Sequence, residues 1–500
     1  MSDIDRQDAD VIVVGAGNAG LLAAIAAREA GADVLLIEAS SKEERGGNSR
    51  FASGVYRVAH SGERDIRALV DDDGSIAWDR IEIEEYPADR FLSELRRSTA
   101  AQMDEQLMGI VVERSLDTVR WMSDHGVRWS LSMSKFGDTD GLPDTLKVRM
   151  PAGGELIAAG NGVGLVESLF TTAESLGVRI RYDSPVTGFV TAGRTVRGVV
   201  VQGETESVPL TARAVVLAAG GFEASAEARL RYLGPGWDLV KVRGSRYDTG
   251  AVLELAIAHG ARSAGHWSGA HAVPIDAAAP PVGDLSIGDS TARYSYPYGI
   301  TVNVEGRRFL DEGSDEMVFT YAEIGRQLLG QPQVTGYQIF DGQTLDLLEP
   351  RYKTAVPIVA DSIADLAQKM GVPTDVLIET IDGYNASCAD GAFDPFSKDG
   401  KSSRPVGQPP KSNWALPIHR PPFHAYRVTC GITFTFGGVA VDSEAHVIGV
   451  GGRPIPGLLA AGELTGGFFA YNVPSGTGLS RGAVFGRIAG ETAARMAADR

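Results

Sequence analysis

The first strong pattern along the chain is a run of four β-branched residues, Val11-Ile12-Val13-Val14, that stops on a glycine turn. A run that is apolar on both faces predicts a buried parallel strand. Gly15-Ala16-Gly17-Asn18-Ala19-Gly20 follows, and then an alanine- and leucine-rich stretch over 21–30 predicts a helix closed by Gly31. Val34-Leu35-Leu36-Ile37 predicts a second strand with Glu38 at its end. Residues 214–221 and 458–463 are two further short apolar runs with glycine exits. Helices are expected over 88–95, 104–122 and 165–176, the last closed by Gly177. Residues 178–180 and 198–201 read as strands of a small β element that turns at Gly193. From Tyr294 the texture changes. Prolines cluster at 405, 409, 410, 417, 421 and 422, helices are expected at 317–329, 363–370 and 376–385, and Tyr296 and Tyr298 fall on one face of an expected strand. A closing helix is expected over 478–496. The pattern predicts an α/β fold. A Rossmann-like, doubly wound dinucleotide-binding domain with a small β element is expected over 1–293 and 425–500, and an inserted second, α+β domain over 294–424.

Composition narrows the chemistry. A net charge of −17 over 500 residues argues against nucleic acid and anionic lipid as partners. The two cysteines, Cys388 and Cys430, form no metal-ligand or haem-attachment spacing, so neither metal nor cluster is expected. The acidic start MSDIDRQDAD does not read as a signal peptide, and no stretch approaches the roughly 20 apolar residues of a membrane span. A cytoplasmic protein is therefore expected. The 61 glycines cluster at specific turns, which predicts backbone packed closely against a ligand.

The glycine motif stands in its required context, after a strand and before a helix. Gly15 suits the tight turn, Gly17 the approach of a pyrophosphate to the backbone, and Gly20 close packing of helix on strand. The N–H groups at Asn18 and Ala19 open the helix toward the phosphates. Glu38, followed by Ala39 and Ser40, is expected to accept from the ribose hydroxyls and to repel a 2′-phosphate. Three later pieces favour FAD over NAD. Arg45-Gly46-Gly47-Asn48-Ser49, with Ser53 and Gly54 beyond it, can wrap a pyrophosphate and reach a flavin ring. Val186 and the exit Ala219-Gly220-Gly221 are placed beside the cofactor. Gly462-Glu463 precedes a glycine-rich segment whose helix start, at Gly478 and Leu479, aims its positive end at the flavin.

The set VVGAGNAG, Glu38, RGGNS, LAAGGF, AAGELTGG and SGTGLSRGAVFGRIAG resembles the fumarate reductase/succinate dehydrogenase flavoprotein superfamily. Within it, GHWSGAHAVPID, VNVEGRRFLDE, VTCGITFTFGG and YNVPSGTGL look most like the tricarballylate dehydrogenase branch, with the 3-ketosteroid Δ1-dehydrogenases as cousins. The resemblance covers nearly the whole chain. It implies an FAD-binding domain with a water-excluding cap, and hydride transfer between flavin N5 and a CH–CH (C=C) bond beside a carboxylate or ketone. No histidine stands between Arg45 and Val58, so the FAD is expected to be non-covalent.

By residue order, His271 matches a family histidine that binds substrate carboxylate. The second such histidine falls on Thr433-Phe434, the carboxylate-binding arginine on Val473, and the proton-donor arginine near Glu316. The branch pattern TGDG stands here as Thr249-Gly250-Ala251-Val252. These departures argue against fumarate and succinate. The expected catalytic set is Tyr471 for proton transfer, Arg308 and His271; the expected substrate contacts are Tyr296, Tyr298, Arg307, Thr433, Phe434, Phe469 and Ser475. A cyclic-ketone desaturase of the ketosteroid type and a flavin-dependent oxidase stand as alternatives. Electrons are expected to pass to or from a separate protein, a quinone or oxygen.

Overall fold

The computed structural model describes residues 8–72, 74, 76–132, 148–150, 153–203 and 205–498; the acidic residues 1–7 lie outside them. Strand β1 (Val11–Val14), helix α1 (Asn18–Glu29) and strand β2 (Val34–Ile37) form the expected strand–turn–helix–strand unit. Every residue of β1 and β2 is buried, which is why neither strand alternates with polar positions. β1 pairs in parallel with both β2 and Ala214–Leu217, Val13 lying opposite Leu36 and Val216. The sheet continues through Pro454–Ala460 to the antiparallel edge His446–Ile448 on one side, and to Arg179–Arg181 on the other. The small β element is a separate antiparallel sheet of Val186–Ala192, Thr195–Gln202 and Ser207–Thr211. One expectation needs correction here: the strand at 179–181 belongs to the main sheet, where it pairs in parallel with β2, and not to the small element.

The closing helix, Thr477–Ala498, packs along α1. Its glycines explain how. A Cβ on Gly486 would meet the backbone of Ala19, and one on Gly490 the backbone of Ala23, so the two helices touch main chain to main chain.

A second sheet is built around the 17-residue strand Phe423–Val439. Ser263–Asp276, Thr335–Phe340, Ile358–Ala360 and Lys241–Val242 all pair with it, and Ile300–Asn303 extends it through Thr335–Phe340. Helices Ile363–Met370 and Thr374–Ala386 pack on this sheet over a core of its own that includes Ile300, Ile339, Leu366, Leu377, Tyr384 and Phe423. The long strand thus starts in that core and carries Thr433 and Phe434 to the edge of the nucleotide-binding unit. Tyr296 and Tyr298 do not share a strand face, because Pro297 sits between them in a 3-10 turn. Among the described residues no helix is long and apolar enough to cross a membrane.

Candidate active site

One elongated cavity opens where β1, β2 and Ala214–Leu217 reach their C-terminal ends, the position at which an open α/β sheet takes its ligand. At its nucleotide end Gly15, Gly17, Asn18, Ala19, Glu38, Ala39 and Val186 line the wall. Gly15 has φ +99°, and a Cβ there would strike the Ala218 carbonyl. Glu38, buried at the end of β2, accepts from the Ala16 N–H at 2.8 Å and from the Ser40 N–H at 2.9 Å, so the turn and this carboxylate fix each other's position. Ser49 Oγ accepts from the Asn18 N–H at 2.9 Å, tying the second glycine segment to the helix start.

Gly17 tests whether this cradle fits a dinucleotide. It has an ordinary negative φ, and a Cβ would meet nothing nearer than Ser49 Oγ at 3.4 Å and Gly46 O at 3.7 Å. The protein itself therefore has no need of glycine at this position. The open space faces the cavity at the N-terminus of α1, which is where a pyrophosphate requires it. Gly47, Asn48, Ser49, Ser53, Gly54, Ala219, Gly220, Gly462, Glu463, Gly478 and Leu479 continue the lining toward the other end.

Four residues of the expected cofactor set stand behind the wall rather than in it. Gly20 gives α1 its approach to β1, since a Cβ there would fall on the Gly15 carbonyl oxygen. Ser40 donates its N–H to Glu38. Gly46 turns with φ +106°. Gly221 leaves room for Glu463 and Thr435.

Three buried carboxyl groups cluster here, Glu223 behind the wall and Asp248 and Glu463 in it. Burial first, and then mutual repulsion, pushes Glu223 and Asp248 well above the usual carboxylate range; burial also raises Glu463. Glu463 accepts from the Thr435 N–H at 2.8 Å, and Asn48 donates to Glu223 and, at 2.8 Å, to the Thr433 carbonyl. Burial brings the nearby Arg481, which also lines the cavity, down to about 10, against the pull of Glu463.

The other end of the cavity is aromatic and carries two arginines. His271 stacks on Phe434 with centroids 4.8 Å apart, Tyr321 meets His271 edge-on at 5.1 Å, and Tyr294 meets Tyr321 at 5.0 Å. Burial, assisted by the charge of Arg243, holds the His271 imidazole down at about 3, so it is a neutral ring. Thr433, Ser475, Val473 and Met317 complete this end. Arg243 and Arg351 also line it; Asp289 lies between them, paired with Arg243 and 3.1 Å from Arg351.

Of the expected substrate and catalytic residues, His271, Thr433, Phe434 and Ser475 come together at this end. The others do not. Arg308 is buried in the second core, ion-paired with Glu312 and stacked over Tyr384; its guanidinium is committed to holding that core. Arg307 points to solvent. Tyr296 and Tyr298 spend their hydroxyls on Thr320 and the Pro395 carbonyl. Phe469 packs against Phe434 and Phe436 in the apolar core behind the cavity. Tyr471 is half exposed with φ +62°, its ring against His266 and outside the cavity lining. Burial pushes the Cys430 thiol up to about 12, which removes it as a nucleophile.

Sequence reasoning missed Arg243, Arg351, Tyr294, Tyr321 and Arg481. Tyr294 had a signal: it stands two positions before Tyr296, in alternation with it. Arg243 gave none: Lys241, Arg246 and Asp248 stand close to it in sequence, and nothing singles it out among them.

The chain is 29% identical to a protein named as a probable fumarate reductase of Shewanella frigidimarina, over 98% of this chain and 75% of that one. It is 26% identical to a 4-oxocyclohex-2-ene-1-carboxylate 5-dehydrogenase of Sinomonas cyclohexanicum, over 71% of this chain and 63% of that one. Its fold matches the solved 3-ketosteroid-Δ4-(5α)-dehydrogenase of Rhodococcus jostii with a TM-score of 0.70 at 26% identity, covering 99% of this chain and 98% of that one. A family model described as FAD binding domain matches residues 10–479, and the chain belongs to that family, as an FAD-dependent oxidoreductase of the fumarate reductase/succinate dehydrogenase flavoprotein superfamily.

Proposed function

We propose that this oxidoreductase moves a hydride between FAD and a carbon–carbon bond conjugated to the carbonyl of a ring-bearing ketone or acid, one that carries at most a single carboxylate. The observation that carries this reading is the wall of His271, Phe434, Tyr321 and Tyr294 at the substrate end. It offers flat apolar faces and a neutral imidazole to a ring. The similarity to an oxocyclohexene carboxylate dehydrogenase and a ketosteroid dehydrogenase supports the same substrate class. A tricarballylate dehydrogenase-like activity is less well supported. Three carboxylates call for several unspent cations, whereas Arg243 and Arg351 already face Asp289, and Val473 stands in the position of the family arginine.

When bound, FAD supplies the hydride acceptor or donor. The chain's own residues do the rest. The aromatic wall excludes water and holds the ring against the flavin face of the cavity. The proton on the neighbouring carbon is assigned to the Tyr294 hydroxyl rather than to Tyr471. Tyr294 lines the cavity, and the Arg351 guanidinium lies over the face of its ring, 5.0 Å from the centroid. The FAD is held without a covalent bond, and electrons are exchanged with a separate protein or a quinone.

The test uses purified holoprotein, reduced with dithionite under argon and mixed with 2-cyclohexenone, cinnamate, fumarate or aconitate. Return of the oxidised flavin band with the ring-bearing compounds is the expected result. Return with fumarate or aconitate alone would overturn the proposal.

A further inference from the structure

Resting on the ring-substrate reading above, we infer that Arg243 is the anchor for the single acceptor group of the substrate, and that Asp289 sets the charge limit that keeps polyanions out. Arg243 is held rigidly. Its N–H donates to the Ile432 carbonyl at 2.8 Å, and its side chain is only 6% exposed. One arm of its guanidinium is paired with Asp289, and another lies 3.4 Å from Thr433 Oγ1. Its Nε is buried without a hydrogen-bond partner among the described residues. A buried guanidinium donor without an acceptor is costly, and this one belongs to a side chain that lines the cavity beside His271 and Thr433. Nε itself is enclosed by protein, so an acceptor oxygen of the ligand meets the guanidinium at its Nη arms, one of which is held only at 3.4 Å by Thr433 Oγ1. The planar fork suits a carboxylate and can also take a ring ketone.

The charge around the anchor is already balanced. Asp289 accepts from Ser53 Oγ at 2.6 Å, pairs with Arg243 and lies 3.1 Å from Arg351. Glu349 Oε2 lies 3.8 Å from Arg351 Nε. Two guanidiniums thus face two carboxylates, and His271 adds no charge. Such a site offers oriented donors with no excess positive charge. It accepts one carboxylate through hydrogen bonds and gives a second or third carboxylate no cation to meet.

The experiment measures binding to the oxidised holoenzyme by the shift of its visible flavin band, with cinnamate and tricarballylate as probes. Wild-type protein is expected to bind cinnamate more tightly than tricarballylate. Arg243→Gln is expected to weaken cinnamate by about tenfold or more. Arg243→Lys, which keeps the charge and loses the fork, is expected not to restore it. Asp289→Asn frees one positive charge and is expected to tighten tricarballylate by about tenfold. Flavin content and Tm report whether each variant is folded; if Arg243→Gln loses its flavin, the Asp289→Asn result decides alone. Cinnamate affinity in Arg243→Gln within about twofold of wild type, or unchanged tricarballylate affinity in Asp289→Asn, overturns the inference. Failure of the functional reading looks different: cinnamate then still binds through Arg243, but no ring-bearing compound reoxidises the reduced flavin.

Discussion

Gly17 and His271 show how much a single residue can decide in this cavity. Because a Cβ at Gly17 would sit 3.4 Å or more from any protein atom at an unstrained φ, Gly17→Ala is expected to fold normally. Its methyl group then occupies pyrophosphate space, so the variant should purify colourless and with an unchanged far-ultraviolet dichroism spectrum. Bound flavin at wild-type occupancy would contradict the assignment of this turn. His271 makes a prediction about pH. Burial and Arg243 hold its imidazole at about 3, against an ordinary 6.5. The unfolded chain takes up that proton first as pH falls, so this residue's contribution to stability is complete above about 6.5 and declines toward 3, by about 1.4 kcal/mol per pH unit. His271→Gln should remove that slope. Urea unfolding at about pH 7.5 and about pH 5 checks it, and equal pH dependence in both proteins would show that His271 is not buried neutral.

The elements of the nucleotide unit were legible because their signals are local. β1, the glycine turn, α1 and β2 each follow from fewer than about fifteen consecutive residues, and all stand where the pattern put them. The strand at 179–181 was assigned to the wrong sheet because a three-residue strand carries no partner information; only pairing with β2 decides its place. The strand expected through Tyr296 and Tyr298 yielded to Pro297. The small residues of the closing helix were recognisable as a motif, but their physical reason is a contact with α1 more than 460 positions away. That contact gives a prediction. Gly490→Ala places a methyl group against the Ala23 backbone and should destabilise the protein by about 1–3 kcal/mol, despite alanine's better helix propensity. A raised Tm would mean that the two helices do not pack at this distance.

At the scale of the whole molecule, the substrate end of the cavity could not be read from any stretch of sequence. Arg243, His271, Tyr294, Tyr321, Arg351 and Phe434 come from separate segments that meet only when the strand Phe423–Val439 joins the second sheet to the nucleotide unit. Residue order singled out His271 and the pair Thr433-Phe434, and the structure brings them to one end of the cavity as neighbours across two antiparallel strands, with His271 opposite Phe434. It also singled out Arg308, which the structure places outside the cavity lining; its position beside Arg307 in a turn gave no hint that Glu312 and Tyr384 would enclose it. The central claim is that this aromatic, charge-balanced end selects ring-bearing substrates with no more than one carboxylate. The most direct measurement is the ratio of kcat/KM for cinnamate to that for aconitate, with one reduced dye as electron donor. A ratio above about ten is expected, a difference of more than about 1.4 kcal/mol in transition-state stabilisation. A ratio below one would place the chain among polycarboxylate enzymes and contradict the reading of its cavity.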